Sequence, residues 1–143
     1  NEHYCTYQNL TGNSINRFKR IAELGGGCGD FCRFVRDMGF EGEYVIWDLP
    51  MVSRIQQVAL SDLDVYFTHH VPKPAPQTLF VATWSLSETP LEFRNNLVKK
   101  LNPNNYLICY QHEFGELDNT EYFSTWSGKQ ALMYDQKSSY LCQ

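Results

Sequence analysis

The 143-residue sequence predicts an α/β fold, a Rossmann-like, doubly wound and mostly parallel sheet of seven strands or slightly fewer. Three observations carry that expectation. The segment "RIAEL" runs straight into a glycine-rich turn and then an amphipathic helix; short apolar or β-branched segments alternate with helical ones; and "TLFVAT" is apolar almost throughout, as a strand covered on both faces must be.

The elements follow in order. Residues 1–19 are polar and mixed, with a short helix expected over 14–19. A first strand over Arg20–Leu24 leads into Gly25, Gly26, Gly27 and Gly29, and a helix over 30–38 sets Phe31, Phe34, Val35 and Met38 on one face before Gly39 stops it. The second strand, "EYVIWD" over 43–48, is rich in β-branched and aromatic residues, and Pro50 suits the first turn of a helix running to about residue 60. A third strand over 65–68 meets "HHVPKPAPQ", whose three prolines exclude a regular helix, so a loop replaces the expected crossover helix. The fourth strand covers 78–83. In "TPLE", Thr89 as N-cap, Pro90 at the first helical position and Glu92 form a capping-box signature for a helix to residue 100. A fifth strand over 106–111, a short helix near 118–126 and two closing strands around a turn at 136–138 complete a single domain, residues 1–143, with no repeat or linker.

Composition narrows the function. A net charge of −4 and a pI near 5.5 give no basic face for a nucleic-acid partner. No apolar run reaches membrane-spanning length and no signal pattern opens the chain, so the expectation is a soluble, cytoplasmic protein. Five cysteines without paired CxxC spacing read as buried free thiols, and the adjacent His69 and His70 lack a third ligand, so no metal is expected.

Glycines between a first strand and its helix let the backbone approach a ligand and aim the helix N-terminus past the strand end. Asp48 ends the second strand, nineteen residues beyond Gly29, about where a carboxylate meets the hydroxyls of a ribose. A dinucleotide fingerprint fails, because counting from Gly25 and Gly27 puts Asp30 in the third glycine position, and counting from Gly26 puts Cys28 in the second. The pattern reads as a nucleoside site, and a nicotinamide oxidoreductase is disfavoured.

The spacing Glu23, Gly25, Gly27, Gly29 in "AELGGGCG", with Asp48 after the next strand, resembles the S-adenosylmethionine-binding motif of class I methyltransferases. The resemblance covers roughly residue 20 to the C-terminus. It implies S-adenosylmethionine as cofactor, with Glu23 positioning its methionine end, Gly25, Gly27 and Gly29 packing against it, and Asp48 binding the ribose. "YVIWDLP" with "WSLSETP" is similar to a narrower group of proposed sugar O-methyltransferases, which implies a hydroxyl of a small acceptor, a sugar, as the methylated group. Where the family often has an acidic or amide side chain near the adenine, this chain reads "FTHH", which leaves that role to Thr68 or the main chain. Family members also carry N-terminal helices over the cofactor, and only about nineteen residues precede the first strand here.

Methyl transfer to a hydroxyl needs alignment and a base. Positions beyond the fourth and fifth strands select Glu88, a carboxylate that would serve only if desolvated, and His112, a side chain suited to proton transfer near neutral pH. Trp84 beside the donor position could shield a sulfonium through its ring face. An "NPPY"-like tetrapeptide, associated in this superfamily with nitrogen acceptors, is absent; "TWSL" stands there and favours an oxygen acceptor. The alternative function is a non-catalytic S-adenosylmethionine-binding or scaffold subunit.

Overall fold

A computed structural model describes residues 2–143. Its five central strands, β1 (Arg20–Leu24), β2 (Glu43–Trp47), β3 (Tyr66–Thr68), β4 (Thr78–Thr83) and β5 (Tyr106–Gln111), pair in parallel. A small hairpin, β6 (Glu113–Phe114) with β7 (Leu117–Asp118), stands apart. The last two strands, β8 (Lys129–Leu132) and β9 (Ser138–Cys142), complete a seven-stranded sheet in the order β3-β2-β1-β4-β5-β9-β8, with β9 antiparallel to both neighbours. The winding direction reverses between β1 and β4, the place where open α/β sheets form their crevice.

The strands are apolar on both faces because both faces are covered. On one side Ile21, Ile46, Val81, Leu107 and Cys109 pack with α1 (Glu2–Thr11) and α2 (Asp30–Asp37) through Tyr4, Tyr7, Phe31 and Val35. On the other, Leu24, Phe80, Ala82 and Ile108 meet Leu97 and Leu101 of α4 (Leu91–Leu101) and Phe123 of α5 (Asn119–Ser124). The remaining helix, α3 (Pro50–Ala59), begins at its proline as expected.

Three expectations are corrected. The helix expected over 14–19 is a single 3-10 turn, Ile15–Arg17, capped by Ser14, and the real helix is α1, which lays Tyr4 and Tyr7 into the core. The capping box at Thr89 does not form: α4 starts at Leu91 behind Pro90, and the Thr89 hydroxyl donates instead to Leu86 O at 2.8 Å, because residues Ser85–Glu88 coil into a 3-10 turn. Cys5 and Cys28 are exposed, while Cys32, Cys109 and Cys142 are buried as expected; all five are free. The hairpin β6–β7 carried no sequence expectation. The proline-rich stretch between β3 and β4 is a loop, as expected, and among the described residues no helix is long and apolar enough to cross a membrane.

One buried cation holds the turn after β4. Arg94 of α4, with no exposed surface, donates to Thr89 O (2.7 Å), Ser87 O (2.6 Å) and Asn119 Oδ1 (2.6 Å), and its guanidinium lies 5.2 Å from the centre of the Tyr122 ring. Carbonyl dipoles balance its charge, and removing it orphans buried acceptors and opens a cavity. Arg94→Ala is expected to lower stability by about 3 kcal/mol, read as a shift of the urea midpoint at unchanged m-value. A loss below about 1 kcal/mol would show that the turn is held by other groups.

Candidate functional site

Where β1 leaves the sheet, Gly25 N donates to Trp47 O at 3.0 Å, carrying the ladder with β2 one residue past the strand. Gly25 then turns at φ 68°, and a Cβ there would collide with the Cβ of Ser85, whose hydroxyl bonds Leu24 O. Only glycine allows the two chain segments to cross so closely. Gly29, at φ 88°, caps α2, and a Cβ on it would stand 2.6 Å from Leu60 Cδ1, so this glycine seats α2 against the end of α3. Gly27, at φ 53°, has no heavy atom within 4 Å of where its Cβ would be, so it faces open space.

Two clefts flank this crossing at the carboxyl ends of the strands, and Gly25 lines both. The larger, about 430 Å³, is walled by Trp47, Asp48, His69, Ser85, Glu88 and Phe93 among others. The smaller, about 310 Å³, is walled by Glu23, Gly27, Cys28, Trp84 and, from α1, His3.

Their two carboxylates sit in opposite environments. Asp48 is half-buried and oriented from both sides: Oδ1 accepts from Leu49 N at 2.7 Å and Oδ2 from the Gln56 amide at 2.8 Å. Glu23 is buried and accepts from Tyr44 OH at 2.7 Å. Loss of water pushes the Glu23 carboxyl up to about 7, with the Asp48 charge adding to the rise and the Tyr44 hydrogen bond opposing it.

Trp84 carries strain. Its N–H donates to Cys109 O at 2.7 Å, extending the β4–β5 ladder, yet its backbone sits at φ 73°, ψ −43°, a conformation side chains rarely adopt. The strained bend throws residues 85–88 across the cleft mouth, where Ser87 N and Oγ bond Trp84 O at 3.0 and 2.6 Å.

Of the residues singled out in the sequence, Glu23, Gly25, Gly27 and Trp84 meet in the smaller cleft, and Gly25, Asp48 and Glu88 meet in the larger, with Glu88 exposed at its edge. Gly29 supports them from behind. Thr68 lines neither cleft; its hydroxyl is taken up in a local turn with His70 N and O, at 3.1 and 3.2 Å. His112 also lines neither, its Nε2 standing 2.9 Å from Ser139 Oγ. Sequence reasoning missed Ser85, His3 and His69; the ring of His69 reaches Asp48 O at 3.0 Å, and the "HH" pair after the third strand was its only signal. Among the described residues no His, Cys, Asp and Glu cluster could hold a metal ion.

No family model matches the chain, and no curated protein matches it. Solved structures do. An O-methyltransferase family protein from Burkholderia thailandensis is similar over 97% of this chain and 55% of its own, at 14% identity and TM-score 0.70. Human N-acetylserotonin methyltransferase in complex with S-adenosylmethionine is similar over 94% and 50%, at 15% identity and TM-score 0.64. A pericyclic reaction enzyme is similar over 76% and 31%, at 20% identity and TM-score 0.52. The chain thus spans about half the length of the first two and less than a third of the last. At these identities the likeness establishes the fold, the seven-stranded, mostly parallel sheet of class I methyltransferases, and the reaction has to be argued from the site.

The Glu23 carboxyl gives a pH signature. Because it is raised in the folded chain from 4.5 to about 7, the folded state holds more protons than the unfolded state across that window, and stability falls as pH rises through it. Wild type is expected to lose on the order of 3 kcal/mol more than Glu23→Gln between pH 4.5 and 8, in urea titrations at both pH values. Identical pH dependence in the two proteins would show that the carboxyl is not desolvated.

Proposed function

We propose that this chain binds S-adenosylmethionine across Gly25 and uses it to methylate a hydroxyl of a small acceptor. The observation that supports this most is the pair of carboxylates placed in two clefts that share Gly25: one partly exposed and held by two donors, the other buried. Asp48 suits a vicinal diol, because each of its oxygens keeps a lone pair after the bonds to Leu49 and Gln56 are made. Glu23, ionised next to a bound ammonium group, suits the amino-acid end. The open space at Gly27 fits a ligand lying against the loop backbone.

When bound, S-adenosylmethionine supplies an activated methyl group and leaves as S-adenosylhomocysteine. Trp84 lines the smaller cleft, and its ring would serve to attract a sulfonium, a cation that an aromatic face favours. Neither base expected from the sequence meets its condition: Glu88 lines the larger cleft but is exposed rather than desolvated, and His112 lines neither cleft and is bonded to Ser139. His69 takes the nucleobase position expected of Thr68. A sugar as the acceptor rests on the "YVIWDLP" and "WSLSETP" resemblance alone.

Calorimetric titration tests the binding step: S-adenosylmethionine is expected to saturate the chain while NAD gives no heat, and Asp48→Ala is expected to weaken the first by about 10- to 100-fold through lost hydrogen bonds to a charged group. Binding of neither ligand would contradict the reading. Release of S-adenosylhomocysteine with a panel of carbohydrates is expected as well; saturable binding without turnover on any hydroxylated acceptor would favour the non-catalytic subunit.

A further inference from the structure

Gln56 lies on α3, eight residues beyond Asp48, and has no exposed surface. Its Nε2 donates twice, to Asp48 Oδ2 at 2.8 Å and to Gly27 O at 3.0 Å. Two acceptors on one side fix which way the amide points, since the reverse orientation would set its oxygen against both. The consequence is an orphan: Gln56 Oε1 is buried without a hydrogen-bond partner. An unsatisfied buried acceptor is costly, and an apolar side chain of the same length would fill the space without that penalty. What the amide contributes in return is its N–H groups, which hold one carboxylate oxygen and one loop carbonyl.

Those two groups belong to different parts of the site. Gly27 is in the turn after β1, Asp48 follows β2, and Gln56 joins them from the helix that packs behind both. With Leu49 N on Oδ1 and Gln56 on Oδ2, the Asp48 carboxylate cannot rotate without breaking one of two bonds. We propose that Gln56 is a positioning residue that ties Asp48 to the glycine loop and so fixes the carboxylate for two-point recognition of a ribose 2′,3′-diol. This rests on the nucleoside reading of the larger cleft given above.

The test is a comparison of two ligands in two proteins. Wild type and Gln56→Met are titrated with S-adenosylhomocysteine and with its 2′-deoxy analogue, folding being checked by circular dichroism. In wild type the missing hydroxyl is expected to weaken binding about tenfold or more. In Gln56→Met, where only the bond from Leu49 N still holds Asp48, S-adenosylhomocysteine is expected to bind more weakly and the penalty for the missing hydroxyl to shrink to about twofold. A merely structural role would weaken both ligands by the same factor and leave their ratio unchanged, which would overturn the proposal. Gln56→Leu provides a second apolar variant; loss of fold in both would assign Gln56 to the scaffold and overturn it equally. If wild type binds neither ligand, the nucleoside reading itself has failed, an outcome distinct from an unchanged ratio.

Discussion

The crossing of two backbone segments at Gly25 is the constraint on which the site depends. β1 must exit between β2 and β4, and the turn after β4 passes so near that no side chain fits between Gly25 and Ser85. The Ser85 hydroxyl, bonded to Leu24 O, closes the crossing from the other side. Because β1 is central and the winding reverses beside it, the crossing divides the crevice into two clefts and leaves Gly25 as a wall of each.

What holds the crossing lies behind it. Trp84 takes a strained backbone conformation to bring Ser85 over, and strain of this kind persists only where surrounding groups determine it. Arg94 and Asn119 supply that: both donate to Ser87 O, and Asn119 also donates to Gln111 O at 2.8 Å, joining the exits of β4 and β5. On the opposite side Gln56 joins the exits of β1 and β2. The clefts are thus framed by buried polar side chains on α3, α4 and α5, and the sheet core carries the Glu23 carboxyl at a desolvation cost that makes sense if a cation meets it.

Much of this was legible in the sequence, for identifiable reasons. Strand runs such as Thr78–Thr83 announce themselves by unbroken apolarity, and the glycine spacing with Asp48 marks both clefts, because such positions are dictated by backbone geometry and by one charge at a strand end. The α1 helix was not legible: Tyr4 and Tyr7 bury one face, but their neighbours are polar. Thr89 misled because its local capping signature competes with the 3-10 turn that tertiary packing imposes on residues 85–88. Gln56 and Arg94 look like ordinary polar helix residues; only the packed structure shows that each faces inward and which carbonyls it meets. His112 stood past a strand end as expected, yet its ring turned to Ser139 on β9, a contact between residues 27 apart in the chain.

The most direct test of the central claim is a crystal structure of the chain with S-adenosylhomocysteine. The account predicts the ribose hydroxyls on Asp48, the base beside His69, the sulfur passing over Gly25 near Trp84, and the ammonium group within hydrogen-bonding reach of Glu23. A ligand seated in the groove between Pro74 and Asn105 at the opposite ends of the strands, or one that leaves Asp48 and Glu23 both untouched, would contradict it.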